Sequence, residues 1–153
     1  MRVWRICSSR HATSAFSGIG SKQVGGRWTP PGRLAVYTAE QQSTAILEML
    51  VHMDPRHFST GFVVIAADLP DNAALETVDT EALPGDWRTR TEDPRLRRIG
   101  RDWLERGDTL ALRVPSVVSP PEFNLILNPA HPDFERITIH APEPFLFDPR
   151  LRR

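Results

Sequence analysis

One glutamate stands in the middle of an apolar helical stretch, at position 48 of TAILEMLVH. A carboxylate placed there lies near the interior and must be paired, hydrogen-bonded or protonated. It is either half of an ion pair with a structural arginine or the anion of a functional site, where such acids are enriched. Arg27 follows Gly25-Gly26 and precedes Trp28. Two glycines let backbone approach a ligand while a guanidinium grips a phosphate through two donors, and an exposed loop arginine is the plainer alternative. Tyr37 is the only tyrosine; at a strand end its ring could stack on a flat ligand, or it could be a core residue with a satisfied hydroxyl. Ser116, after Pro115, could bond a ligand hydroxyl or local backbone, and without G-x-S-x-G around it a hydrolase serine is disfavoured. Asn124 and Asn128 flank an apolar run, and an asparagine before proline is often only a turn former.

Other chemistries find no support. GxxxxGK[ST] and GxGxxG are both missing, so neither common phosphate loop is present. The histidines, at 11, 52, 57, 131 and 140, show no HExxH spacing, and one cysteine, Cys7, cannot build a thiolate zinc site. No metal site is expected.

These residues must be carried by definite elements. Val3–Ile6 is β-prone and basic at its edges, and reads as an opening strand. From Ser8 to Gly26 the Ser, Gly and Ala content indicates a loop. Pro30-Pro31-Gly32 fits a tight turn leading into a strand over 34–38. A helix follows over about 40–53, with Thr38 as N-cap and Asp54-Pro55 as its stop. At 100° per residue, Ala45, Ile46, Met49, Leu50 and Met53 form an apolar arc that Leu47 and Val51 extend, so the helix should be mostly buried. The polar strip left over holds Gln41, Thr44, Glu48 and His52. Gly61–Asp68 is a near-continuous apolar run, as in a strand buried on both faces. Residues 69–91 read as a long connection, and 93–106 as a helix closed by Gly107. Short strands are expected at 110–114, 123–127, 137–139 and 145–147, with a solvated tail from about 148. Strands outnumber helices without alternating with them, so the fold class should be α+β.

The whole chain sets bounds. Its 153 residues suit one domain, 1–153. Lys plus Arg and Asp plus Glu are 19 each, so no overall field draws the protein to nucleic acid or membrane. A single cysteine fits a reducing compartment. The N-terminus lacks a signal-peptide core and no apolar run approaches the roughly 20 residues of a spanning helix. A soluble, cytoplasmic protein is the expectation.

In order along the chain, GGRW, AVYTA, ILEML, RVPSVV and NLILNP with HPDF resemble the RES-domain family, toxin components of bacterial RES-Xre toxin–antitoxin modules. The matching positions are Arg27, Tyr37, Glu48, Ser116 and Asn128, with His52 and Arg5 as further site members. Residues 69–105 carry no matching motif. The resemblance implies an ADP-ribosyltransferase-like fold of split, mostly antiparallel sheets around an NAD cleft. It implies NAD+ as substrate rather than a resident cofactor, with cleavage by hydrolysis, phosphorolysis using inorganic phosphate, or ADP-ribosyl transfer. In that reading Glu48 stabilises the developing ribosyl cation, Arg27 holds the pyrophosphate and Tyr37 stacks on nicotinamide or ribose. Ser116 and Asn128 orient the ligand, and His52 positions Glu48 or an incoming phosphate. An Xre-like helix-turn-helix antitoxin would block the cleft, and a homo-oligomer or a toxin–antitoxin hetero-oligomer are both open. Two other functions compete: a ribonuclease toxin with His52 or His57 as general base, and a non-enzymatic partner-binding module.

Overall fold

The computed structural model describes residues 1–53 and 61–151. Eight strands among them join in one sheet: β1 Arg2–Ser8, β2 Val36–Ala39, β3 Phe62–Asp68, β4 Leu75–Thr77, β5 Ala111–Pro115, β6 Phe123–Leu127, β7 Thr138–Ile139 and β8 Glu143–Phe145. Their order is β4-β5-β6-β2-β1-β3-β7, with β8 pairing the other end of β3. Only β4 and β5 run parallel. Among the described residues three α-helices accompany the sheet, α1 Ile19–Val24, α2 Gln42–His52 and α3 Pro94–Arg106. The class is α+β and mostly antiparallel, as expected.

The sheet is nearly divided in the middle. β1 meets β3 along its whole length, from Arg2↔Asp68 to Ser8↔Phe62, whereas β1 and β2 share the single register pair Trp4↔Ala39. Across this seam the Arg5 guanidinium donates from Nη1 to the Tyr37 carbonyl at 2.6 Å, satisfying an acceptor that the interrupted ladder leaves behind.

One face of the sheet buries Val3, Val36, Ile65, Leu125 and Leu127 in a common cluster. Ile126 and its cross-strand neighbours Leu112 and Tyr37 point the other way, because successive strand residues alternate. This second face carries two clusters. Trp28, Trp87, Leu96 and Trp103 cover the β5–β6 side, and Ile6, Ala39, Ala45 and Val64 lie under α2.

Several expectations need correction. The 8–26 stretch is not plain loop: it holds a 3-10 turn at Ser9–Ser14 and then α1. Thr38 is not an N-cap, for it lies inside β2 and its hydroxyl donates to the Leu125 carbonyl at 2.8 Å. Helix α2 begins later, after Gln41. Nor is α2 mostly buried. Thr44 and Ala45 are covered, but Leu47 is 39% and Val51 65% exposed, because the helix rests on the sheet by one side only. Within 69–91 the chain forms β4, a three-residue parallel strand too short to leave a periodic signal. The proposed stop at Asp54-Pro55 lies outside the described residues.

Helix α3 follows its sequence signals closely. The Asp93 side chain accepts from the Arg95 backbone N–H at 2.9 Å, Pro94 starts the first turn, and Gly107 at φ 67° ends the helix with its N–H on the Trp103 carbonyl.

Candidate active site

A cleft of about 530 Å³ opens on the helical face of the sheet, at the seam. Its volume falls in the range of small-molecule and cofactor sites. Its floor is Trp4, Arg5 and Ile6 of β1 with Tyr37, Thr38 and Ala39 of β2. One wall is the GGRW loop with Val24 before it; the other is α2, through Ala45, Glu48, Met49, Val51 and His52. Asn124, Pro115, Val117 and Val118 close the β5–β6 end.

Glu48 occupies the inner turn of α2. Its Oε1 accepts the Ser116 hydroxyl at 3.1 Å and the Asn124 amide N–H at 2.6 Å. No arginine pairs with it among the described residues, so the structural ion pair weighed from the sequence is not its role. Both donors are neutral, and among the described residues both reach Oε1 rather than Oε2. Ser116 is itself buried, and its oxygen accepts the Ser119 N–H at 3.2 Å.

Arg27 is aimed by its surroundings. Its Nη1 donates to the carbonyls of Trp87 at 3.1 Å and Arg90 at 2.5 Å, which orients the guanidinium without neutralising it. The loop carrying Arg27 is held from beneath by α3. Arg97 donates from Nε to the Gly26 carbonyl at 3.0 Å, and a Cβ on Gly100 would lie 1.9 Å from the Trp28 carbonyl oxygen. Residues 84–100, which carried no motif, are thus the support of the arginine loop.

Tyr37 has the satisfied hydroxyl that its reading from the sequence allowed. Its hydroxyl takes the Trp28 N–H at 3.2 Å and shares a hydrogen bond with Thr29 at 2.9 Å, so the polar end is committed to the loop while the ring lines the cleft. A Cβ on Gly26 would come within 2.5 Å of that hydroxyl, which explains the second glycine. Burial pushes the phenol above its ordinary pKa, against the opposing hydrogen bonds from Thr29 and Trp28, so it remains neutral at physiological pH.

Arg5 is among the residues lining the cleft; its Nη1 is engaged by the Tyr37 carbonyl, no carboxylate pairs with it among the described residues, and its Nε is buried without a partner. Burial pushes its pKa down from the usual arginine value, as desolvation of an uncompensated cation requires. His52 lines the mouth and is exposed. Of the histidines among the described residues only His52 lines the cleft, while His57 lies outside the described residues; the ribonuclease reading gains no paired base.

Asn128 does not join the group. Four residues beyond Asn124 and just past the end of β6, it is buried in a turn where its side chain accepts the Ala130 N–H at 3.0 Å. The asparagine at the cleft is Asn124, whose alternation with buried Leu125 and Leu127 on β6 was the available signal. Among the described residues no group of three His, Cys, Asp or Glu side chains could hold a metal ion, and no helix is long and apolar enough to cross a membrane.

Comparison with known proteins identifies the family and the fold. Residues 2–148 match the RES domain model. The chain is 39% identical over 136 residues to Toxin Res of Photorhabdus laumondii, covering 89% of this chain and 86% of that protein. It is 34% identical over 154 residues to the Prs ADP-ribosylating toxin of Sphingobium sp., covering 98% and 96%. A chain from the crystal structure of the M. tuberculosis MbcT–MbcA toxin–antitoxin complex shares the fold, with TM-score 0.75 at 15% identity over 95% of this chain and 84% of that one. The protein belongs to the RES-domain family.

Proposed function

We propose that this chain is the toxin of a bacterial toxin–antitoxin module and consumes NAD+ by cleaving the bond between nicotinamide and ribose. The observation that carries the reading is the setting of Glu48: a carboxylate fixed by Ser116 and Asn124, not neutralised by an arginine, facing a cleft that also receives Arg5 and Arg27. Such a cleft suits a ligand with an anionic diphosphate at one end and a developing cation at the other.

Cleavage sends the C–N bonding pair to the pyridinium, which departs as neutral nicotinamide while positive charge grows on the ribose. Glu48 stabilises that charge, and the apolar walls given by Trp4, Ile6 and Met49 keep the local dielectric low enough for one fixed anion to matter. Arg27 and Arg5 hold the diphosphate, and the Tyr37 ring supports the flat nicotinamide or the ribose. Ser116 acts by holding Glu48. His52, at the mouth, orients the acceptor, whose oxygen bonds to the anomeric carbon as nicotinamide leaves and whose proton passes to solvent. The acceptor is water, inorganic phosphate or a protein group. The name of the Sphingobium relative, an ADP-ribosylating toxin, is consistent with NAD+ as the donor.

The partner is an Xre-like antitoxin in the same cytoplasm, covering the mouth of the cleft where Val24 and Val51 are 72% and 65% exposed. Incubating purified protein with NAD+, with and without phosphate, and resolving the products tests the reading. ADP-ribose, its 1″-phosphate or labelled protein supports it and names the acceptor. Intact NAD+ after prolonged incubation contradicts it, and RNA cleavage in a parallel tube would install the ribonuclease instead.

A further inference from the structure

Glu48 belongs to a closed circuit of contacts. Its carboxylate accepts the Ser116 hydroxyl, the Ser116 backbone N–H donates to the Glu122 carbonyl at 2.9 Å, and the Glu122 carboxylate accepts the Thr44 hydroxyl. Thr44 returns to Glu48 through one turn of α2, since residues four apart stack on the same helix face. Two of the four members, Thr44 and Ser116, are buried. A circuit of this kind constrains more than a single hydrogen bond does: rotation or sliding of α2 against the β5–β6 hairpin breaks the Thr44 link and the Glu48 link together. Asn124, next but one to Glu122 along the chain, holds the same carboxylate oxygen as Ser116.

We infer that Thr44 and Glu122 are positioning residues for Glu48: they set the register of α2 on the hairpin, and through it the direction of the carboxylate, without touching the ligand. Neither lines the cleft. The inference rests on the assignment of Glu48 as the group that stabilises the ribosyl cation. A displacement of about 1 Å in a reacting group can cost on the order of a hundredfold in rate, so losing one link should reduce kcat by roughly tenfold to a hundredfold and leave KM for NAD+ near its wild-type value.

The test compares Thr44→Val, Thr44→Ser and Glu122→Ala with the wild-type protein, by steady-state NAD+ cleavage and by the 13Cδ resonance of Glu48 at fixed pH. Glu122 is only half-buried, so its alanine variant should fold even where the Thr44→Val protein does not. The expected result is a fall in kcat for Thr44→Val and Glu122→Ala at unchanged KM and melting temperature, recovery in Thr44→Ser, and a moved Glu48 resonance in both impaired variants. Wild-type kcat with an unmoved resonance overturns the inference, as does a loss of rate that only follows loss of folded protein. If the wild-type protein cleaves no NAD+, the functional reading has failed, and the Glu48 resonance alone decides the positioning role.

Discussion

In the proposed function Arg27 and Glu48 face one cleft with opposite tasks, and each is held in a way that suits the task proposed for it. Carbonyls of Trp87 and Arg90 aim the arginine while leaving its charge for a ligand, whereas hydroxyl and amide donors fix the glutamate. Replacing Arg27 with lysine keeps the charge but loses the planar fork. Hydrogen bonds to charged groups are worth about 1.5–3 kcal/mol, so Arg27→Lys should raise KM for NAD+ by roughly tenfold to a hundredfold. Steady-state kinetics read this directly, and an unchanged KM would remove Arg27 from the binding role. The residue types were legible in the sequence, because a carboxylate on an apolar helix and an arginine after paired glycines are both conspicuous. Their partners were not. Asn124 and Asn128 bracket the same strand, and only the register of β6 against β2 shows which of them reaches Glu48 and which closes a turn.

At the scale of elements, α3 and the arginine loop are coupled at a point with no spare room. A Cβ at Gly100 would overlap the Trp28 carbonyl, so Gly100→Ala must separate the helix from the loop. Overpacking of this kind costs about 1–3 kcal/mol. The variant should lose several degrees of melting temperature and bind NAD+ more weakly because Arg27 moves with Trp28. A variant of unchanged melting temperature would mean that the loop is not held by the helix. The helix itself was readable from Asp93, its apolar spacing and Gly107. Its contact with the loop was not, since Gly100 within a helical pattern gives no hint of which backbone approaches it. The buried character assigned to α2 failed for a related reason: apolar spacing shows which residues can face a core, while the packing of neighbours decides how much of the helix is covered.

The described residues form two half-sheets that meet at Trp4↔Ala39, with the cleft over the junction and residues from both halves on its floor. The α+β class followed from strand count and spacing, but the seam depends on long-range pairing that no local pattern encodes. Two carboxylates away from the cleft are held by arginines, Asp93 buried and Asp68 half-exposed. The Arg95 guanidinium brings Asp93 down to about 2, and Arg2 followed by His140 holds Asp68 well below the usual carboxylate range. Because these folded-state values are depressed, the stability they contribute is present above the ordinary aspartate pKa of about 3.9 and is lost as pH falls through the folded-state values. The melting temperature should therefore hold above about pH 5 and fall between about pH 4 and pH 2, and Asp93→Asn should flatten part of that fall; an acid limb identical in the variant would contradict the assignment. The proposed cleavage depends on the Glu48 carboxylate, and nicotinamide release from NAD+ by wild-type and Glu48→Gln proteins of equal melting temperature measures that dependence. Loss of an electrostatic contact of this kind costs about 2.7–4 kcal/mol, so the variant should release nicotinamide a hundredfold or more slowly. Equal rates from the two proteins would contradict the role proposed for Glu48.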